Sequence, residues 1–365
     1  MTGIHPFRIA VADAELDDLR ARLARTRWAD SATDDWSWGM PPTALRTLVD
    51  EWTHTYDWPA TESRLNEQEQ YLVDAGGTRF HVVRAGTRGA QPLLLVHGWP
   101  DGFIRFEKAL PLLADRFDIV IPSLPGYGFS ERPSAPGWGP VTVARAFDEV
   151  MSAFGFDRYL VHGSDHGSSI AEALGARYPD RVTGLHLGDV PAWRRYTIDA
   201  DAHGPAVRAY ADTGAQWFAT EGAYAAEHRT KPQTVGFALT DSPVGLASWM
   251  FEKLHGWADN DAPVGGLTMT DVLDDISLYW FTNTAASAIR YYRDSGDHLL
   301  APTERAPQPA GFTVFPHDTV VATRPYAELF FDIRHFEVQP RGGHFGPWEQ
   351  PDLFASDLRT FADSL

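Results

Sequence analysis

The stretch Tyr159–Gly175 constrains the fold most, because it reads as a short apolar strand, a turn one residue wide and a helix. Asp165 stands at the tip of that turn. So tight a turn presses its flanks together, and the residues two positions away on either side must therefore be small. Gly163 and Gly167 meet this requirement. The pattern predicts a nucleophile elbow that carries a carboxylate.

The register of the turn excludes Ser164 as its tip, because the flanking residues would then be His162 and His166, which are too large. A serine that attacked a saturated carbon would leave an ether, which water cannot cleave. A carboxylate leaves an ester, and water can then attack the carboxyl carbon of Asp165 itself. The elbow therefore indicates alkyl transfer at an sp³ carbon of an epoxide or a haloalkane. Taken alone, the motif also fits an ordinary turn aspartate.

The amino-acid composition excludes several classes of protein. The 365 residues carry a formal net charge of −18, which argues against binding to nucleic acid or to an anionic membrane surface. No apolar run approaches the roughly 18 residues of a membrane span. The first residues lack a signal-peptide pattern, and there is no cysteine for a disulfide framework. These features predict a cytoplasmic enzyme without membrane contacts.

Residues 1–65 are predicted to form a helical N-terminal meander that wraps onto the rest of the molecule, with a separate small helical domain as the alternative. A first amphipathic helix is expected behind a cap at Asp13, and a second one ends near Trp52. The apolar positions are Leu16, Leu19 and Leu23 in the first helix and Leu45, Leu48, Val49 and Trp52 in the second, and the other tryptophans are Trp28, Trp36, Trp38 and Trp58.

A sheet is expected to begin near residue 66, where the hydrophobic period changes to two around a hairpin at Ala75–Thr78. Apolar runs at helix-length spacing follow at 92–96, 117–121, 159–163 and 181–187, and strands resume at 311–315 and 334–338. This alternation predicts an α/β fold with a mostly parallel central sheet, helices on both faces and an active site at the carboxyl ends of the strands. The core is assigned to residues 66–194 and 300–365.

Residues 195–299 break the alternation and are predicted to form a helical cap. A helix start is expected at Ser242 and Pro243, where a capping side chain precedes proline. The proline-rich run 301–310 is predicted to return the chain to the sheet.

A catalytic base is expected near the C-terminus, because chains with this kind of elbow usually order their triad as nucleophile, acid and histidine. His344 fits, since the glycines before it allow an open loop that projects the imidazole toward the elbow to activate water. Asp318, just after the preceding strand, is the preferred candidate to fix the tautomer of His344 and stabilise its imidazolium. Asp332 is a rival for that role.

An oxyanion site is expected beside the elbow. The run His97–Pro100 directly follows an apolar strand, which places the backbone N–H of Trp99 near Asp165. The second donor would be the N–H of His166, the residue after the nucleophile. Together they would stabilise the tetrahedral intermediate on the Asp165 carboxyl group.

These residues resemble the epoxide hydrolases of the α/β-hydrolase fold, specifically the microsomal-type branch with an N-terminal meander. The resemblance spans nearly the whole chain and implies two cap tyrosines that hydrogen-bond the epoxide oxygen, by position Tyr224 and Tyr292, with Tyr291 competing for the second role. Phenols with a pKa of about 10 can donate to the developing alkoxide while remaining neutral. The matching segments are Pro6–Ile9, His97–Pro100, the Asp165 elbow, Lys231–Leu246, Leu278–Trp280 and Gly342–Phe345.

The sequence departs from the family pattern at His166, where relatives often carry tryptophan, and this places an ionisable ring beside Asp165. The membrane anchor of the mammalian members is expected to be absent. No metal or nucleotide motif occurs, so no cofactor is expected. The expected partners are a small hydrophobic epoxide and water, and the sequence leaves open whether the protein forms a homodimer. The alternatives are a haloalkane or haloacid dehalogenase with the same nucleophile, and a non-catalytic ligand-binding homologue.

Overall fold

One mixed sheet forms the centre of the protein. The structure is a computed structural model that describes residues 3–260, 266–297 and 299–365. Within these ranges the strands are β1 Ile4–Phe7, β2 Glu69–Ala75, β3 Thr78–Gly86, β4 Gln91–Val96, β5 Phe117–Pro122, β6 Tyr159–Gly163, β7 Val182–Leu187, β8 Pro309–Val314 and β9 Asp332–Val338. Their order in the sheet is β1-β2-β3-β5-β4-β6-β7-β8-β9.

The helices alternate with the strands in the core and form a continuous block between β7 and β8. Short 3₁₀ helices cover Trp36–Trp38, Phe103–Ala109, Ala192–Tyr196 and Ala200–His203. The α-helices of the described residues are α1 Asp13–Leu23, α2 Pro42–His54, α3 Trp58–Leu65, α4 Leu110–Leu113, α5 Pro140–Ala153, α6 His166–Arg177, α7 Pro205–Thr220, α8 Ala223–Thr230, α9 Pro232–Asp241, α10 Pro243–Gly256, α11 Met269–Thr282, α12 Ala285–Asp297, α13 Arg324–Ala327, α14 Gly346–Glu349 and α15 Pro351–Asp363.

The pairing confirms the predicted sheet. The strands β4 to β9 pair in parallel, whereas β1, β2, β3 and β5 form antiparallel pairs. Ala75 lies opposite Thr78 across the predicted hairpin. All six residues of β5 and all five of β6 are buried, as continuous apolar runs in the middle of a sheet require. The elbow therefore leaves the sheet from one of its central strands.

Two expectations for the N-terminal segment are wrong. The sheet does not begin near residue 66, because Ile4–Phe7 adds an edge strand antiparallel to β2. A strand of four residues that includes Pro6 shows too little alternation of apolar and polar side chains to be recognised from the sequence, although proline is tolerated in an edge strand. Asp13 is the first residue of α1 rather than its cap; Ala12 holds the cap position and makes no side-chain hydrogen bond there. In the first turn, Asp13 instead complements the helix dipole.

The N-terminal segment packs onto the helices between β7 and β8. Asp274 of α11 accepts hydrogen bonds from the hydroxyls of Tyr56 and Thr61, each at 2.7 Å. Trp52 Nε1 donates to Ser277 Oγ at 2.9 Å. These contacts hold α11 against α2 and α3.

The predicted helix start in the cap region is confirmed. Helix α10 begins at Pro243, and the hydroxyl of Ser242 accepts the N–H of Gly245 at 3.0 Å. No described helix has both the length and the apolar character needed to cross a membrane.

Candidate active site

The turn between β6 and α6 has the geometry that the sequence predicts for an elbow. Asp165 has a φ of 56°, a left-handed conformation that is uncommon for a residue with a side chain. A Cβ on Gly163 would lie 2.1 Å from the carbonyl oxygen of Gly167, and one on Gly167 would lie 2.2 Å from that of Val96. Only glycine fits at these two positions, which fixes Asp165 as the tip.

The carboxylate of Asp165 is held in its ionised form. The backbone N–H of Trp99 donates to Asp165 Oδ1 at 3.0 Å. Burial raises the pKa of Asp165, but His166, His344 and the N–H groups of Trp99 and His166 outweigh it, so the net shift is downward. The structure thus brings together both proposed oxyanion donors and an ionised carboxylate.

His344 lies between two carboxylates. Its Nδ1 is 2.7 Å from Asp318 Oδ1, and its Nε2 is 3.7 Å from Asp165 Oδ2. Burial disfavours the imidazolium, but the charges of Asp318 and Asp165 outweigh it and raise the pKa of His344 to about 9. At neutral pH the resting site therefore holds an imidazolium with Nε2 toward the nucleophile.

Asp332, the rival candidate to orient His344, lies away from the histidine. Asp332 is half-exposed at the start of β9 and pairs with Arg334 at 2.9 Å. Its carboxylate is therefore engaged with a surface arginine, whereas Asp318 contacts His344 directly.

Backbone contacts that the sequence did not reveal hold the histidine loop. The N–H of His344 donates to the carbonyl oxygen of Trp257 at 2.8 Å, and the carbonyl oxygen of His344 accepts from Arg105 Nη2 at 2.9 Å. The buried Arg105 forms an ion pair with Asp101, four residues earlier on the same turn of chain. The four-residue spacing of Asp101 and Arg105 could have indicated their ion pair from the sequence, whereas nothing in the sequence connects Trp257 to His344.

A second aspartate that the sequence analysis missed lies beneath the elbow. The backbone N–H of Asp165 donates to Asp189 Oδ2 at 2.5 Å. Burial, together with the nearby charge of Asp318, raises the pKa of Asp189 to about 7. The sequence feature that could have indicated Asp189 is its position just after β7, the strand next to β6 in the sheet.

The two proposed phenols border the same cavity as Asp165. Tyr224 of α8 and Tyr292 of α12 pack edge to face with ring centroids 5.8 Å apart, and Tyr224 stacks on Trp99 at 5.2 Å. Burial and the charge of Asp165 raise the pKa of both phenols, so both stay protonated. The hydroxyl of Tyr292 is buried beside that of Tyr224 and is engaged by no other described residue, so this pair of hydroxyls is able to donate to a ligand.

Tyr291 and His166 form a neighbouring pair. The hydroxyl of Tyr291 is likewise buried without a partner in the described part of the chain. The rings of Tyr291 and Tyr292 both contact His166, at 4.7 and 4.6 Å, but only Tyr292 also contacts Tyr224 and Trp99. The Nε2 of His166 is 3.9 Å from Asp165 Oδ1. Burial lowers the pKa of His166, so a neutral imidazole borders the cavity.

These groups open onto one cavity of about 420 Å³, a volume suited to an organic molecule of moderate size. Most of the remaining lining is aromatic or aliphatic, with Trp217 and Val320 as examples. The arrangement offers a carboxylate nucleophile, a histidine and carboxylate pair, two backbone donors and neutral phenols around an apolar volume. Such a site can open a strained ether by attack at carbon and then hydrolyse the resulting ester.

Comparisons with known proteins agree with this chemistry. Residues 4–106 match the family model described as epoxide hydrolase N terminus, and residues 91–248 match the alpha/beta hydrolase fold. A protein of Stigmatella aurantiaca (strain DW4/3-1), named provisionally as an epoxide hydrolase, is 39% identical over 98% of this chain and 84% of its own length. Epoxide hydrolase 1 of Sus scrofa is 32% identical over 100% of this chain and 89% of its own. The structure of Aspergillus niger epoxide hydrolase superimposes with a TM-score of 0.88 at 30% identity, covering 99% of this chain and 96% of that one.

Proposed function

Since this chain belongs to the epoxide hydrolases of the α/β-hydrolase fold, we propose that it opens epoxides to vicinal diols through a covalent ester on Asp165. Water activated by His344 and Asp318 then cleaves that ester. The observation that carries the proposal is the placement of His344 between the two carboxylates, 2.7 Å from Asp318 and 3.7 Å from Asp165.

In the first half-reaction, a carboxylate oxygen of Asp165 attacks one epoxide carbon and the carbon–oxygen bond of the ring breaks. The epoxide oxygen becomes an alkoxide, which takes a proton from a phenol. Tyr292 and Tyr224 are the candidate donors, because both border the cavity, their rings pack against each other and their hydroxyls interact. Neutral phenols donate to the oxygen without first repelling or protonating the nucleophile.

Between the half-reactions, the proton of the His344 imidazolium returns to the phenolate, which leaves a neutral imidazole and a neutral phenol. In the second half-reaction, the neutral His344 takes a proton from water, which attacks the carboxyl carbon of the Asp165 ester, and the diol leaves with Asp165 as a carboxylate and His344 as an imidazolium again. The N–H groups of Trp99 and His166 stabilise the oxyanion. Esterification also removes the negative charge of Asp165, one of the charges that raise the pKa of His344. The histidine therefore becomes a better proton acceptor at the step that needs a base.

The assignment is tested by product analysis with two substrates. The purified protein is expected to convert styrene oxide to its diol over many turnovers and to leave 1-bromobutane unchanged. Release of bromide at a comparable rate would favour the dehalogenase alternative. Tight binding of styrene oxide without diol over many enzyme equivalents would favour the ligand-binding alternative.

Tyr292→Phe is expected to slow epoxide opening by about 10²-fold or more while changing binding little, because the phenol hydrogen bond strengthens as charge develops on the oxygen. Single-turnover measurement of ester formation separates this step from binding. Tyr224→Phe should act in the same direction. Tyr326→Phe is the control, since Tyr326 also borders the cavity with a buried hydroxyl lacking a partner among the described residues. Ester formation at the wild-type rate in the double variant of Tyr224 and Tyr292 would exclude the phenols as the acid.

The pH dependence of ester hydrolysis reports the state of His344. The rate is expected to rise with pH and level off with a midpoint below 9, because the pKa of about 9 belongs to the resting site, where Asp165 is charged. Asp318→Asn removes another charge that raises this pKa and should move the midpoint lower while reducing the plateau. The measurement is single-turnover decay of the ester from about pH 6 to about pH 10. An unchanged midpoint in Asp318→Asn would contradict the pairing of Asp318 with His344.

A further inference from the structure

The substrate cavity carries a cation without an acidic partner in the described structure. Arg195 lies in the 3₁₀ helix between β7 and α7 and borders the cavity. Its guanidinium stacks 3.3 Å from the ring centroid of Phe218 and 4.8 Å from that of Tyr196. Its Nε is buried and makes no hydrogen bond to any described residue. Burial lowers the pKa of Arg195, and the hydroxyl of Tyr196 partly offsets this, whereas the other cation nearby, Arg229, lowers it further and also borders the cavity.

The preceding residue shows how this protein normally accommodates a buried arginine. Arg194 is fully buried, and its Nε donates to Glu172 Oε1 at 2.8 Å while Nη1 donates to the carbonyl oxygen of Pro302 at 2.9 Å. Buried charges are generally paired in this way, because leaving one unpaired costs free energy. The chain has 49 acidic residues against 31 basic ones, so a lack of carboxylates does not explain the exception. Arg195 is half-buried and has no carboxylate partner in the described structure, so the part of its guanidinium that borders the cavity is available to an anionic ligand.

The two arginines lie at the exposed part of the cavity lining, its rim. Arg229 is exposed, and Tyr196, next to Arg195 in the chain, is 72% exposed. His344 and Tyr224 are buried. The same cavity is bordered by Asp165 and by both arginines, and most of its remaining lining is aromatic or aliphatic.

We propose that Arg195, supported by Arg229, binds a carboxylate on the substrate, so that the preferred substrates are epoxides with an apolar chain that ends in a carboxylic acid. This inference rests on the proposed function. Guanidinium groups form parallel hydrogen bonds to a carboxylate, and such charge-assisted bonds are stronger than neutral ones. The anion at the rim would also direct the epoxide toward the buried nucleophile.

The test compares 10,11-epoxyundecanoate with its methyl ester, which differ only in the charge at the far end. In the wild type, kcat/KM is expected to be about tenfold or more higher for the carboxylate, and this ratio should fall with added salt. In Arg195→Met the ratio should approach one, because kcat/KM falls further for the carboxylate than for the ester. Arg46→Met is the matched control, because Arg46 also stacks on an aromatic ring, 4.0 Å from the centroid of Trp28, in the N-terminal segment.

The two proposals fail in different ways. Equal kcat/KM for carboxylate and ester in the wild type would overturn the anion site and leave epoxide hydrolysis intact. Absence of turnover with both compounds and with styrene oxide would overturn the proposed function. Calorimetry of the wild type with sodium nonanoate and with nonanamide tests the site without turnover or a variant. Tighter binding of nonanoate supports the site, and equal or weaker binding overturns it.

Discussion

Asp165→Asn is expected to yield a folded protein that has lost nearly all epoxide turnover, by about three orders of magnitude or more. The carboxamide has nearly the size of the carboxylate and still offers an oxygen to the N–H of Trp99, which is 3.0 Å from Asp165 Oδ1 in the wild type. An amide is a poor nucleophile, and it also withdraws the negative charge that faces His344 at 3.7 Å. The measurement is steady-state diol formation, with circular dichroism to show that the fold is retained.

Asp332→Asn is the matched control, because it makes the same chemical change at a half-exposed carboxylate that pairs with Arg334. It should keep wild-type turnover. The mass of the Asp165→Asn protein must be checked, since spontaneous deamidation would regenerate the aspartate. Wild-type turnover with the asparagine intact would remove Asp165 from the mechanism.

His344 is connected to the N-terminal segment through buried polar contacts. Asp274 of α11 holds that segment through Tyr56 and Thr61. One turn further along α11, the hydroxyl of Tyr279 donates to the carbonyl oxygen of Asp101 at 2.9 Å. Asp101 pairs with Arg105, whose guanidinium reaches the His344 carbonyl oxygen. The N-terminal segment therefore supports the position of His344 indirectly, although none of its described residues, 3–65, borders the cavity.

Local sterics made the centre of the site predictable. The elbow could be assigned from two glycines because a Cβ at either position would lie within about 2 Å of a backbone oxygen. The helix start at Ser242 and Pro243 likewise depends on neighbouring residues only. Parallel strands could be assigned because their buried apolar runs are continuous in the sequence.

Features that depend on contacts distant in sequence could not be predicted in the same way. The edge strand Ile4–Phe7 owes its conformation to β2, more than sixty residues later. Asp189 matters because sheet order places the end of β7 beside the elbow. Trp257 reaches His344 only through the folded cap. Each is fixed by tertiary contacts, and local pattern carries little information about those.

His344→Gln is expected to separate the two halves of the reaction. The variant retains Asp165 as nucleophile, so the epoxide should still open, but no base is left to activate water, and the ester should accumulate. Intact-protein mass spectrometry after mixing with a turned-over epoxide should show a gain equal to the mass of the substrate, and peptide mapping should place it on Asp165. His317→Gln is the control, because His317 is half-exposed, precedes the partner Asp318 in the chain and should not trap ester.

Oxygen-18 water gives an independent check on the same intermediate in the wild type. Because water attacks the carboxyl carbon of Asp165, the label should enter that side chain during a single turnover, and the first diol should carry an unlabelled oxygen from the enzyme. Label in the first diol with none in the protein would mean that activated water attacks the epoxide directly. In that case His344→Gln should also fail to accumulate ester, so the two measurements must agree. Together they test whether His344, whose Nε2 is 3.7 Å from Asp165 Oδ2, is the base for hydrolysis of the ester on Asp165.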